Sequence, residues 1–211
     1  MRVLSRVFIV TCAVWGGLLA ALVGAGPAAA VDKDLASALR AGGLVIVVRH
    51  GATAPDQADN DMLHPKNGAG ERQLNDQGKA QARAFGEALR QLGAPVGKVY
   101  TSQFNRAYET AVLAGFKDIE KTVDLAEGGL DVSPDETARR ANALRSLLAT
   151  PPRQGTDTLL VTHKPNIVNA LGKSWSNVEE GEASIFRPEN GTAKLIARVR
   201  IDEWARIAAA R

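Results

Sequence analysis

Arg49-His50-Gly51 is the tripeptide of this chain whose residue types most directly suggest chemistry. Arginine presents a planar fork of donors that matches phosphate oxygens. Histidine offers an imidazole nitrogen that is partly unprotonated near neutrality and can attack phosphorus. Glycine lets the backbone approach a bound anion closely. Two other segments can join it. Arg106 falls in the first turn of an expected helix, where the helix macrodipole disfavours a cation and a bound anion would relieve the conflict. In Thr162-His163-Lys164-Pro165, a second histidine stands beside a proline that can open a helix, whose free amides can also hold an anion. Converging on one site, these groups suit phosphoryl transfer, where positioning and charge neutralisation do most of the work.

The elements needed to position them are readable. Leu44–Val48 is an unbroken apolar run, mostly β-branched, and predicts a strand buried on both faces that Arg49 follows directly. Lys98–Thr101 and Thr158–Thr162 predict two more strands, which deliver Arg106 and His163 at their ends. Ligands in open α/β sheets lie beyond such carboxyl ends. Between them, Asp32–Ala41 predicts a short amphipathic helix, and Asn75 caps one running to about Leu92 with Ala82, Phe85, Leu89 and Leu92 on its buried face. A helix over about Gln103–Ala114 follows. Ser133-Pro134-Asp135-Glu136 is a capping box that opens another, burying Ala141, Leu144 and Leu148. Ala183–Ile201 alternates as one or two strands, with Ile185, Leu195, Ala197 and Val199 in phase, and a helix carrying Trp204 closes the chain. Trp204 and Trp175 are read as packing or exposed residues. Strands separated by helices predict an α/β fold, a three-layer α/β/α sandwich with a mostly parallel central sheet. The polar stretch Ala54–Arg72 is long enough to be functional. His64 within it reads as solvated, and Arg72 as a surface residue with the pocket mouth as its alternative.

Composition narrows the function. The 211 residues carry 26 Lys+Arg against 23 Asp+Glu, but Arg2 and Arg6 belong to an acid-free first segment. The rest stands at 24 against 23 with no like-charge block, so no nucleic-acid partner is expected. Met1–Ala30 has the charged start, apolar middle and Ala28-Ala29-Ala30 ending of an export signal. The expectation is therefore a cleaved leader over 1–30 and a single catalytic domain over 31–211, periplasmic or extracellular, with no stable membrane span after cleavage; a retained anchor is the alternative. Cys12, the one cysteine, lies in that leader, which excludes disulfide, cysteine-zinc and cysteine-nucleophile chemistry from the rest.

Arg49-His50-Gly51, Ser102-x-x-x-Arg106-Ala-x-Glu-Thr110, Val161-Thr162-His163 and the Leu74–Ala82 helix start together resemble the histidine phosphatase superfamily, in the right order. The resemblance implies that His50 becomes a phosphohistidine while Arg49, Arg106 and His163 hold the non-bridging oxygens, with Gly51 and Lys164 beside the substrate. Leu125-Ala126-Glu127 resembles the family's proton-donor motif, which makes Glu127 the first candidate and Glu182 the second. Lys164 stands where the acid-phosphatase branch carries aspartate, which argues against that branch. Two arginines and a protonated His163 balance a phosphate dianion, so no metal or other cofactor is expected. The implied activity is phosphomonoester hydrolysis of a phosphorylated small molecule or an envelope glycan or lipid. A phosphoglycerate-mutase-type phosphotransferase and a non-catalytic phospho-ligand binder are the alternatives.

Overall fold

The computed structural model describes residues 27–59, 70–127 and 132–210. His64 and most of the expected leader lie outside the described residues. The strands are β1 (Val45–Arg49), β2 (Val96–Ser102), β3 (Ile119–Thr122), β4 (Asp157–Thr162), β5 (Ala183–Glu189) and β6 (Thr192–Val199). They form one sheet in the order β3-β2-β4-β1-β5-β6. β1 pairs in parallel with β4, and β2 with both β4 and β3, whereas β5 is antiparallel to β1 and β6 to β5. The expected mostly parallel α/β/α sandwich is the one observed, with an antiparallel pair at one side.

β1 is central because its residues can be buried on both faces. Ile46 and Val48 join Val99, Leu159 and Val161 under α1 (Pro27–Ala41), α2 (Asp76–Leu92), α3 (Asn105–Leu113) and α6 (Trp204–Ala209). Val45 and Val47 point the other way, to Leu160 and Phe186 under α4 (Pro134–Ala149) and α5 (Lys164–Leu171). Asn75 caps α2 through Gly78 N, and Ser133 caps α4 through Glu136 N, as their sequences predict. Trp204 is buried with its ring edge-on to Phe85, and Trp175 stacks on Phe186. No described helix is long and apolar enough to cross a membrane.

Three details differ from the sequence reading. α1 starts at Pro27, because proline followed by three alanines extends the helix upstream of Asp32. β3 is a short edge strand with a half-buried, non-alternating pattern that carries no periodic signal. In β6, Ile185 pairs with Ala197 but Phe186 with Leu195, so a bulge takes Leu195 out of phase and leaves it 40% exposed.

Asp157 opens β4 fully buried; its Oδ1 accepts from Leu44 N at 2.9 Å and its Oδ2 has no partner. Burial pushes the carboxyl up from 3.8 to about 6. The unfolded chain ionises it more readily, so stability falls as pH rises from about 4 through about 6. Asp157→Asn keeps the acceptor and removes the charge. We expect it to raise stability at neutral pH by up to about 2 kcal/mol and to flatten that slope. Urea melts at pH 4 and pH 7 check this; a variant less stable than the parent at pH 7 contradicts it.

Candidate active site

The residue after β1 is held from three sides. His50 N donates to Thr162 O at the end of β4 (3.0 Å), Arg49 N to Glu182 O (3.1 Å), and Gly181 N reaches both Arg49 O and His50 O. Gly51 N donates to Thr110 Oγ1 in α3, which itself donates to Arg106 O. The loop then meets the start of α2 at very close range. A Cβ on Gly78 would stand 2.0 Å from Ala52 O, and one on Gly51 would stand 2.7 Å from Gly78 O. Both glycines are there for backbone contact. The expectation that Gly51 opens its backbone to an anion is thus corrected: its amide is already engaged, and its carbonyl orients His50.

That carbonyl sets the chemistry of the first histidine. His50 Nδ1 lies 2.8 Å from Gly51 O, so Nδ1 carries the proton and Nε2 the lone pair. Burial, then electrostatic repulsion from His163 and Arg106, push the imidazole well below its usual pKa and favour its neutral form. The His163 ring stands edge-on at 5.1 Å. His163 Nε2 lies 2.8 Å from Ser102 Oγ, and its Nδ1 lies 3.2 Å from Glu127 Oε1, close enough for an ion pair but not aligned as a hydrogen bond. Burial lowers the His163 pKa against the opposing pull of Glu127. A bound anion would add to the pull of Glu127 and favour the charged form of His163.

Arg106 is completely buried, its guanidinium 4.5 Å over the Phe104 ring. Nη1 donates to Asp59 Oδ1 at 2.8 Å and Nη2 to Glu127 Oε1. Glu71 Oε2 accepts from Asn105 N, at the start of the same helix. The conflict between cation and macrodipole is therefore already eased by the protein's own carboxylates. Arg49 is similarly matched: Nη1 donates to Val178 O at 2.9 Å and Nη2 to Glu180 Oε1 at 3.2 Å, with Thr53 Oγ1 on the same carboxylate.

Glu127 touches both Arg106 and His163. Burial alone would raise its carboxyl, but the electrostatic pull of His163 and Arg106, the latter also hydrogen-bonded to it, outweighs burial and holds it far below the usual carboxylate range. Glu182 is elsewhere: it is buried, paired with Arg198 Nε at 2.6 Å and accepting from Glu179 N. Glu127 thus joins the cluster and Glu182 supports the turn behind it. A cleft of about 490 Å³ opens over the group, lined by Arg49, His50, Arg72, Glu127, Lys164 and Asn169 among others. Arg72 is half-buried in that wall, which corrects its reading as a surface residue.

Residues 45–131 match the sequence model of the histidine phosphatase superfamily, branch 1. Over that span the chain is similar to the histidine phosphatase superfamily. Solved structures share the fold at low identity. The protein histidine phosphatase SixA complexed with tungstate is 17% identical, covering 76% of this chain and 98% of that one, with a TM-score of 0.56. A phosphoserine phosphatase variant from Entamoeba histolytica in complex with phosphoserine is 15% identical, covering 75% and 97%, with a TM-score of 0.51. A mycobacterial glucosyl-3-phosphoglycerate phosphatase with VO3 is 17% identical, covering 73% and 97%, with a TM-score of 0.50. No curated protein matches the chain in sequence.

The histidine phosphatase match contains Arg49, His50, Arg106 and Glu127 and stops short of His163 and Lys164, which the sheet brings in through β4. Asp59, Glu71 and Glu180 are the site carboxylates that the sequence reading missed. Each acts on a residue far away in sequence, and none has a local pattern. The only available signal was the unbalanced charge of Arg49 and Arg106, which required acids somewhere in a buried site.

Proposed function

We propose that this protein hydrolyses phosphomonoesters through a phosphohistidine on His50. The observation that carries the reading is the His50 tautomer: Nδ1 is committed to Gly51 O, and Nε2 makes no hydrogen bond to any described residue, with the His163 ring edge-on at 5.1 Å. The Nε2 lone pair attacks phosphorus as the ester P–O bond breaks, and the leaving oxygen takes a proton from Glu127. Water then attacks phosphorus as the P–N bond breaks, giving a proton back to Glu127, returning the electron pair to Nε2 and releasing phosphate. Arg49, Arg106 and His163 hold the non-bridging oxygens, whose charge makes the protonated form of His163 favourable. Lys164 lines the same cleft. Arg49, Arg106 and a protonated His163 supply the charge that a phosphate dianion needs, so the scheme calls on no metal.

Glu127 can act as an acid because its low pKa belongs to the resting site. A phosphate dianion that takes Arg106 and His163 from it removes the interactions that hold the carboxyl low, and adds negative charge nearby. The donor is thus readied by substrate. Oxyanions and a phosphoester in three solved relatives support such a seat. The first 30 residues support export as the setting, with a phosphorylated small molecule or envelope glycan or lipid as substrate.

The test is hydrolysis of p-nitrophenyl phosphate, with protein quenched in alkaline denaturant examined for acid-labile phosphohistidine. We also expect Glu127→Gln to cost at least about tenfold more kcat on an alkyl phosphate than on p-nitrophenyl phosphate, whose leaving group needs little protonation. Equal losses on both esters remove Glu127 from the donor role.

A further inference from the structure

The cations used by the phosphoryl reading already have acids: Arg49 has Glu180, and Arg106 has Asp59 and Glu127. The cleft contains two that do not. Arg72 makes no ion pair with any described carboxylate, and its Nε is buried without a hydrogen-bond partner. Its backbone is fixed by the acid that also holds Arg106, since Arg72 N donates to Asp59 Oδ1 at 2.9 Å. Arg72 is also near enough to Arg49 to add to the lowering of that residue's pKa, which burial begins. Lys164, half-buried at the first position of α5, likewise has no carboxylate partner among the described residues.

Like charges gathered in a partly desolvated cleft repel one another until an anion joins them. The phosphoryl group is claimed by Arg49, Arg106 and His163, so the spare charge of Arg72 and Lys164 is left for another part of the substrate. The cleft's volume, about 490 Å³, lies within the range of small-molecule sites and leaves room beyond a PO₃ unit. Asn169 and Ser176 add neutral polar groups to the same wall.

We propose that Arg72 and Lys164 form a second anion subsite, selecting phosphomonoesters whose leaving group carries its own carboxylate or phosphate. The proposal rests on the phosphatase reading for where the phosphoryl group sits, but it concerns affinity and not turnover.

The test is calorimetric binding to the full-length His50→Ala protein, which needs no hydrolysis. The probes are phosphate esters of ω-hydroxy acids with one to four methylene groups and the corresponding bisphosphates. Each is paired with the ω-hydroxyalkyl phosphate of equal length. We expect the best dianionic-plus-anionic ester to bind at least about tenfold more tightly than its neutral partner, as for one charge-assisted contact. The preference should shrink as salt is raised. It should approach unity in Arg72→Met/Lys164→Met, and the single variants Arg72→Gln and Lys164→Gln should each lose part of it. Carboxylates and bisphosphates are separate arms, so the preferred second anion is read directly. Equal affinities at every length overturn the subsite, as does a preference that survives the double variant. A preference found in protein that, with His50 intact, hydrolyses no phosphomonoester overturns the phosphatase reading and leaves the subsite standing. Failure of every ester to bind overturns both.

Discussion

His50→Ala is expected to lower kcat on p-nitrophenyl phosphate by about 10⁴-fold or more, a loss of the size seen when an enzyme's covalent nucleophile is removed. No other group in the cleft can take over. The only other imidazole there among the described residues, His163, has one ring nitrogen against Ser102 and the other facing Glu127. The variant should also yield no acid-labile phosphoprotein. His50 is buried, but its ring makes a single hydrogen bond, to Gly51 O, so alanine leaves the β1 end tied through its backbone to Thr162 and Gly181. Thermal melts close to the parent's separate a chemical defect from a folding one. A well-folded variant that kept even a hundredth of the parental kcat would falsify the covalent route.

Arg106→Ala should reduce kcat/KM by about 10²- to 10³-fold, as for loss of one preorganised oxyanion donor. It should also cost stability, unlike most losses of a substrate-binding arginine. Arg106 is fully buried, and its removal leaves Asp59 and Glu127 without their shared cation. Breaking a buried ion pair by deleting one partner costs about 3–5 kcal/mol. Arg106→Ala with Asp59→Asn should recover part of the stability and none of the kcat/KM. Steady-state kinetics and urea melts on the single and double variants read the two effects apart. An unchanged kcat/KM in the single variant would take Arg106 out of the phosphoryl seat.

The strand ends were legible because each is preceded by residues that can be buried. Leu44–Val48 announces the centre of the sheet by composition alone, and both faces of β1 are covered. The caps at Asn75 and Ser133 were legible because capping is a contact within four residues. What was illegible is long-range. The carboxylates on Arg49 and Arg106 come from positions 180 and 59, and nothing near either acid declares its partner. The same limit explains Arg106 itself: the helix start correctly signalled a need for negative charge, but local sequence could not tell a ligand from Asp59, Glu71 and Glu127. Glu127 ranked ahead of Glu182 on its motif alone, and the two differ in three-dimensional neighbours that no local sequence declares: Arg106 and His163 for one, Arg198 for the other. The phase of β6 failed for a different reason, since one bulge inverts every residue on its far side.

The direction of β5 bears on how such a site can diversify. Because this strand runs against β1, it begins at the edge where β1 finishes, and the turn leading into it arrives beside the nucleophile. Val178 and Glu180 of that turn grip Arg49 from behind, and Ser176 reaches the cleft wall. A descendant could lengthen or reletter the segment around Ser176 and admit new molecules, while the parts that meet phosphorus, carried on β1, β4 and α3, stayed untouched.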